Sequence, residues 1–373
     1  ENKMRLSNKR LFAGLALSSM LVLSACGTEA ATTAEAEVDL NALSLSEIET
    51  QAKEEGHVES VGMPDTWANW GETWEELETT YSLTHADTDM SSAEELALFK
   101  AEQNNPTKDI GDVGQSFGPV AEADGLTLSY KTSYWDDIPE WAKDDDGDWI
   151  VGYYGTLAFI TNSEKVTDAP TSFADILAGD YKVTIGDVNA ATQAQNAVLA
   201  AAIANGGDET NLDPGIAFFA QLAEQGRLDL GDTSLARLES GEIEVGLFWD
   251  FNALNYANQV AETNPNASFE VTIPLDGTIQ SGYATVINAT APNPHAAALA
   301  REYILSDEGQ INLAKGYARP IRDNVELPQE VQDILLPEEQ YVKAQPVSDF
   351  DAWEEAAAGL GQRWQEEVLT KVK

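Results

Sequence analysis

Apolar residues recur along the chain in two rhythms. Val58 and Val61 lie in a short run that ends at Gly62 before a Pro-containing turn. Trp70, Trp74, Leu77 and Tyr81 then fall three or four residues apart, the period of one helix face, which predicts a helix over Trp70 to Leu83. Ser91 and Ser92, three residues before Glu94 and Glu95, form a capping-box pattern for a helix running through Phe99. Asp109 to Gly114 reads as a strand end running into a loop, and Val183 to Asp187 as another, followed by an Ala-rich helix from Ala191 that stops at Gly206-Gly207. Asp213-Pro214 supplies an N-cap and a first helical position for a helix ending by Gly226, and Ile243 to Trp249 is an apolar strand. Strand, loop and helix recurring in this order imply α/β layers with largely parallel sheets.

In such sheets ligands bind beyond the carboxyl ends of the strands. The loops after Val61, Val113, Asp187, Phe248 and Ile279 are therefore the informative ones. They offer Asp65 and Trp67, Ser116, Thr192, then Trp249, Asp250 and Asn252, and finally Ser281 and Tyr283. Trp67 and Trp249 are candidate ring surfaces, and Asp65 and Asp250 beside them could receive an ammonium group, because carboxylates and ring faces both attract cations. Core packing and helix capping are the rival roles for the same residues.

Charge narrows the partners. With 21 Lys+Arg against 64 Asp+Glu the formal net charge is −43, which argues against nucleic acid or an anionic membrane surface, since phosphate contacts are made by Lys and Arg. So acidic a chain suits a saline or alkaline exterior, where ions screen self-repulsion. One Cys rules out an internal disulfide framework and a thiolate cluster, and three His, at 57, 85 and 295, give little basis for a zinc site; no metal or cofactor is expected.

Lys3, Arg5, Lys9 and Arg10 precede the apolar run Leu11 to Val22, which ends in Leu23-Ser24-Ala25-Cys26. A basic start, a short apolar stretch and small residues before a cut site describe a secretory leader rather than a spanning helix. The four residues resemble the bacterial lipoprotein signal, which implies a leader over 1–25, a lipidated Cys26, and a protein held at the extracellular face of the cell membrane, or in the periplasm where there is an outer membrane. Residues 26–45, rich in Ala, Thr and Glu, read as a flexible tether.

Catalytic motifs are absent: there is no Gly-x-x-x-x-Gly-Lys-Ser/Thr, no Gly-x-Ser-x-Gly and no His-Glu-x-x-His. Asp144 to Asp148 evokes a calcium loop, but the twelfth position is Gly155 instead of a bidentate Glu, so a hydrated hairpin turn is expected. Trp135, Trp141 and Trp149 around that turn read as packing residues.

Several longer stretches carry a resemblance: Gly152-Tyr153-Tyr154-Gly155-Thr156 through Phe159 and Asn162; Ala169-Pro170-Thr171-Ser172-Phe173-Ala174-Asp175 with Asp180-Tyr181-Lys182; Gly186-Asp187 before the Ala-rich helix; and Gly316-Tyr317-Ala318-Arg319-Pro320-Ile321-Arg322. With the lipoprotein signal, they resemble the solute-binding lipoproteins of bacterial ABC importers, in the branch that holds ferric-ion, polyamine, sugar-phosphate and phosphonate binders. The resemblance spans residues 56 to 370. It implies a two-lobed, type II periplasmic-binding-protein-like α/β fold with a hinge of crossing strands, at Tyr154 to Phe159 and Val271 to Pro274. One lobe would hold 46–157 plus 275–330, the other 158–274, with C-terminal helices over 331–373 packing on the body. It also implies a non-enzymatic monomer that passes a small solute to a permease and its ATPase.

Ferric binders of this branch show adjacent tyrosines where this chain has Trp249-Asp250-Phe251-Asn252, and Tyr153-Tyr154 falls on a strand that points its two rings to opposite faces. Carboxylate and aromatic pairs suit a polyamine-like solute, while Arg319, with Tyr154 beside the crossing, suits an anionic end; a cationic or zwitterionic solute satisfies both. Ferric-ion or anionic binding in the same branch, and a secreted hydrolase or surface adhesin or sensor, are the competing functions.

Overall fold

The computed structural model describes residues 37–373; the leader, Cys26 and residues 27–36 of the expected tether lie outside the described residues, whereas at its other end Leu40–Ala42 form a helical turn that buries Leu40, and Leu45 begins the first α-helix. Among the described residues twelve strands occur in the order β1 His57–Val61, β2 Thr84–Thr88, β3 Ile110–Gly114, β4 Thr127–Leu128, β5 Ile150–Asn162, β6 Val183–Thr184, β7 Leu228–Asp229, β8 Val245–Trp249, β9 Phe269–Thr272, β10 Thr278–Asn288, β11 Arg319–Pro320 and β12 Ala344–Pro346. Their hydrogen-bonded path is β2-β1-β3-β10-β5-β8-β6-β7, with β4 and β12 added to β10, and β9 and β11 added to β5.

β5 joins the two halves of that path. Its first residues, Ile150 to Thr156, pair antiparallel with β10, whereas Leu157 to Thr161 pair with β8 and Phe159 to Asn162 with β9. The chain returns between β9 and β10, where the Thr278 hydroxyl donates to the Leu157 carbonyl at 2.7 Å. β1 runs parallel to β2 and β3, and β6 runs parallel to β7 and β8, so each half is an α/β sheet in which parallel strands feed loops at one end.

Local chemistry explains the helices around these sheets. Ser44 caps Leu45–Glu55 through a complete capping box with Glu47, and Gly56 ends it at φ 69°, a left-handed conformation that costs glycine nothing. That helix turns Ile48 and Ala52 into the core and packs on Pro294–Leu305. The Ala-rich helix Thr192–Ala204 is buried from Thr192 through Ala202, because its small side chains let neighbours approach on every side. In the long C-terminal helix Phe350–Glu367, the buried residues Trp353, Ala357, Leu360 and Trp364 recur at helical spacing, and Asp349 caps it by accepting from the Ala352 amide.

Three expectations shift. The capping box at Ser91 does not form: Ser91 Oγ donates to Glu94 Oε1 at 2.7 Å instead of accepting from the backbone. Asp213 is the first residue of its helix, after the N-cap position Leu212, and its carboxylate pairs with Arg363 at 2.7 Å. The strand at Val183 is only two residues long. The acidic turn is a hairpin turn as expected: Asp144 Oδ2 accepts from the amides of Asp146 and Asp148. No described helix is long and apolar enough to cross a membrane.

Candidate functional site

The carboxyl ends of the parallel strands in the two halves face each other. Across the gap Ser92 Oγ lies 3.1 Å from Thr192 Oγ1, and the Ala93 amide donates to the Ala190 carbonyl at 3.4 Å. Gly114 sits directly under the Thr192 side chain. The Asn255 side-chain amide donates to the Thr66 carbonyl. Helix N-termini and strand-end loops from both halves therefore meet, as an α/β ligand cleft requires.

Aromatic rings from five segments fill the centre of this meeting. Trp67 Nε1 donates to the Tyr153 hydroxyl at 2.8 Å, and that hydroxyl donates to Asp112 Oδ2 at 2.6 Å. Tyr153 and Tyr283 lie parallel with centroids 5.5 Å apart, and Trp249 Nε1 donates to the Tyr283 hydroxyl at 2.9 Å. Trp67 meets Phe251 edge-on at 5.3 Å and Tyr283 at 5.7 Å. The Trp67 loop is held rigidly: Ala68 and Asn69 take left-handed conformations at φ 50° and 56°, and Gly316 is packed against their backbone. Asn69 fastens the loop by donating to Glu72 and to the Asn312 carbonyl.

The sequence-derived candidates divide among five places. Trp67, Trp249 and Tyr283 belong to the ring cluster. Thr192 lies at the contact between halves, and Asn252 donates to Gln193 Oε1 at 3.1 Å while its own Oδ1 is buried without a partner. Tyr154, Asp250 and Arg319 gather with Tyr341 at the joining strand. Ser116 and Ser281 line a separate cavity. Asp65 is exposed beside Gly71.

Asp250 is not open to a solute in this arrangement. Its Oδ1 accepts from the Thr156 amide at 3.0 Å and the Phe251 amide at 2.9 Å, and its Oδ2 accepts from the Tyr341 hydroxyl at 2.7 Å. Burial holds its carboxyl above the ordinary value in spite of these donors. Arg319 lies over the Tyr341 ring at 4.4 Å. β11 pairs Arg319 with Tyr154, which explains why these residues converge although they are far apart in sequence.

The electrostatics come from residues that periodicity passed over. Asp87, Asp89, Glu95 and Asp112 cluster behind the loops on the first-sheet side. Desolvation first, with repulsion from neighbouring acids, pushes Glu95 and Asp112 well above the carboxylate range and raises Asp89, while desolvation raises Asp87. Glu95 is fully buried and accepts the Asp112 amide at 3.0 Å; Asp112 Oδ1 is buried without a donor. Among the described residues none of the four carboxylates forms an ion pair, and the nearby Lys108 is engaged by Glu59 and Thr88. Asp112, within a buried strand, carried the legible signal, because an unpaired acid at such a position needs an explanation. Tyr153 and Phe251 gave none beyond ordinary core patterning. A second acidic group, Glu122 with Asp144 and Asp148, lies apart at the hairpin turn; burial and the neighbouring Asp144 push Glu122 up to about 7.

Residues 105–344, well over half of the chain, match the model of a family described as bacterial extracellular solute-binding protein, and the chain belongs to that family. Such proteins bind small solutes and deliver them to ABC permeases. Comparison with curated proteins finds no match. Among solved structures, the fructose-6-phosphate-bound periplasmic binding protein AfuA of Actinobacillus pleuropneumoniae superposes with a TM-score of 0.66 at 20% identity, over 84% of this chain and 98% of that one. The ferric binding protein of Campylobacter jejuni gives 0.62 at 20% identity over 83% and 98%. AgtB of A. tumefacien R10, in complex with agropinic acid, gives 0.66 at 13% identity over 84% and 99%. At these identities the likeness is one of fold, the two-lobed periplasmic binding architecture.

Proposed function

We propose that this member of the bacterial extracellular solute-binding proteins captures a small cationic or zwitterionic organic solute between its two lobes and passes it to an ABC permease. One observation carries the reading: two buried carboxylates, Glu95 and Asp112, with the half-buried Asp87 and the exposed Asp89 nearby, stand behind an aromatic cluster at the cleft with no ion pair among the described residues, and one buried Asp112 oxygen has only the unpartnered Trp70 indole N–H near it. Desolvated, mutually repelling acids are costly, and a bound cation relieves both penalties. Rings of Trp67, Trp249, Phe251 and Tyr283 favour a cation further through their faces. The lobes, 46–157 plus 275–330 and 158–274, would close about β5 and the return from β9 to β10, with 331–373 packed on the body. The protein acts as a monomer, tethered through lipid on Cys26.

The alternatives fit less well. A sugar phosphate or phosphonate would meet carboxylates at the ring cluster, whereas Arg319, over the Tyr341 ring with its buried Nε unpartnered, suits the anionic end of a zwitterion. Ferric ion needs tyrosinate oxygen, yet burial raises Tyr153 and Tyr283 far above the ordinary phenol, which opposes ionisation. For a hydrolase, the Ser60, His85 and Asp87 convergence is wired against catalysis: Ser60 is wholly buried and donates to Asp87, so His85 has no serine proton to take. Native mass spectrometry of gently purified protein should find a bound amine, and Asp112→Asn should weaken its binding by at least tenfold. A purely anionic solute, or equal affinities, would overturn the reading.

A further inference from the structure

A cavity of about 300 Å3 lies beneath the first turns of the C-terminal helix, at the small end of the range for small-molecule sites. Its lining residues come from the first half, from β10 and from the C-terminal segment, and none comes from residues 157–272, so the second half does not line it. Rings of Trp141, Trp149, Phe350 and Trp353 wall it. Trp141 and Phe350, from distant segments, lie parallel at 6.4 Å with 7° between planes, yet remain 40% and 37% exposed. Large rings gathered together at a surface mark a site of contact more often than a packing remnant.

Charge selects the class of occupant, and unmet polarity adds room for one hydrogen-bonding group on it. Asp351 and Glu354 also line the cavity, with Glu140, whose carboxylate pairs with Lys143 at 3.4 Å, and no Lys or Arg is among the lining residues. Two further lining residues carry buried polar atoms without a partner, Ser116 Oγ and Trp149 Nε1. We propose that this cavity is a second binding site, for a compact organic cation with an aromatic or alkyl body. The rings supply apolar contact and electron-rich faces, and Asp351 in the first turn of the helix with Glu354 just beyond it supply the opposite charge. The helix that roofs the cavity continues to Trp364, which packs on Phe219 at 5.5 Å, and to Arg363, which pairs with Asp213, so an occupant bears on an element that also rests on the second half.

The test uses the purified protein titrated with benzyltrimethylammonium, with phenylacetate as the anionic counterpart, followed by calorimetry and tryptophan fluorescence. The cation should bind saturably and phenylacetate should not. Trp141→Ala and Phe350→Ala, both at exposed positions, should each weaken the cation at least tenfold, and Glu354→Gln about threefold, with melting curves like wild type. No saturable binding, equal binding of phenylacetate, or an affinity unchanged in both ring variants would overturn the proposal. Every variant lies in this cavity, so the result stands apart from that for the cleft.

Discussion

The Tyr341 hydroxyl donates to Asp250 Oδ2 at 2.7 Å and ties the C-terminal segment to the first residue of the helix that follows β8. With the Thr156 and Phe251 amides on Oδ1, Asp250 has the coordination of a structural brace across the joining strand.

Asp250→Ala should therefore cost stability. Leaving the Thr156 amide and the Tyr341 hydroxyl buried without an acceptor is worth about 1–3 kcal/mol, visible as a lower denaturant midpoint. Solute affinity should stay within a few-fold of wild type. An unchanged midpoint with a tenfold loss of affinity would instead make Asp250 a ligand.

Acidity should stabilise the solute-free protein. Glu95 and Asp112 have folded values raised above their unfolded ones, so their contribution is complete below the ordinary carboxylate range and is lost as pH rises through the raised values. Asp175 and Asp208, held low by hydrogen bonds, act in the opposite direction below pH of about 4, and His85, which burial lowers from 6.5 to about 4, acts in the opposite direction between those two values. The melting temperature at fixed salt should be higher near pH 6.5, above most of the His85 window, than near pH 8. Glu95→Gln, which keeps an acceptor for the Asp112 amide, should flatten that slope; an identical slope would remove the buried acids as its cause.

Closure should depend on a hydrogen atom at position 114. A methyl group there would collide with Thr192, so Gly114→Ala should hold the halves apart. Scattering of the solute-loaded variant should give a larger radius of gyration than wild type, with affinity reduced at least tenfold. Adding Thr192→Ala should recover part of both. A variant that compacts like wild type would show that the Ser92 and Thr192 contact is not needed for capture.

Membrane attachment should require one thiol. Cys26→Ser should leave the leader uncut and release the protein from lipid-dependent fractionation, read by mass and by detergent partitioning. Unchanged processing and partitioning would disprove lipid anchoring.

Periodicity and punctuation determined the layered α/β class: Trp70, Trp74 and Leu77 form one buried helix face, and Gly206 follows the Ala-rich helix, because these signals are local and act through burial and backbone conformation. The loops that carry the cleft were legible for the same reason, since a parallel strand must end where its helix begins. What those loops do with their residues was decided by pairings remote in sequence. Asp250 and Trp67 stand in equivalent strand-end loops, yet one is consumed by Tyr341 and Thr156 while the other joins Tyr153 and Phe251. No local pattern encodes that β11 brings Arg319 beside Tyr154, or that Glu95 and Asp112 share one buried space. Charge interactions and ring packing depend on three-dimensional distance and desolvation, and only the folded chain sets those.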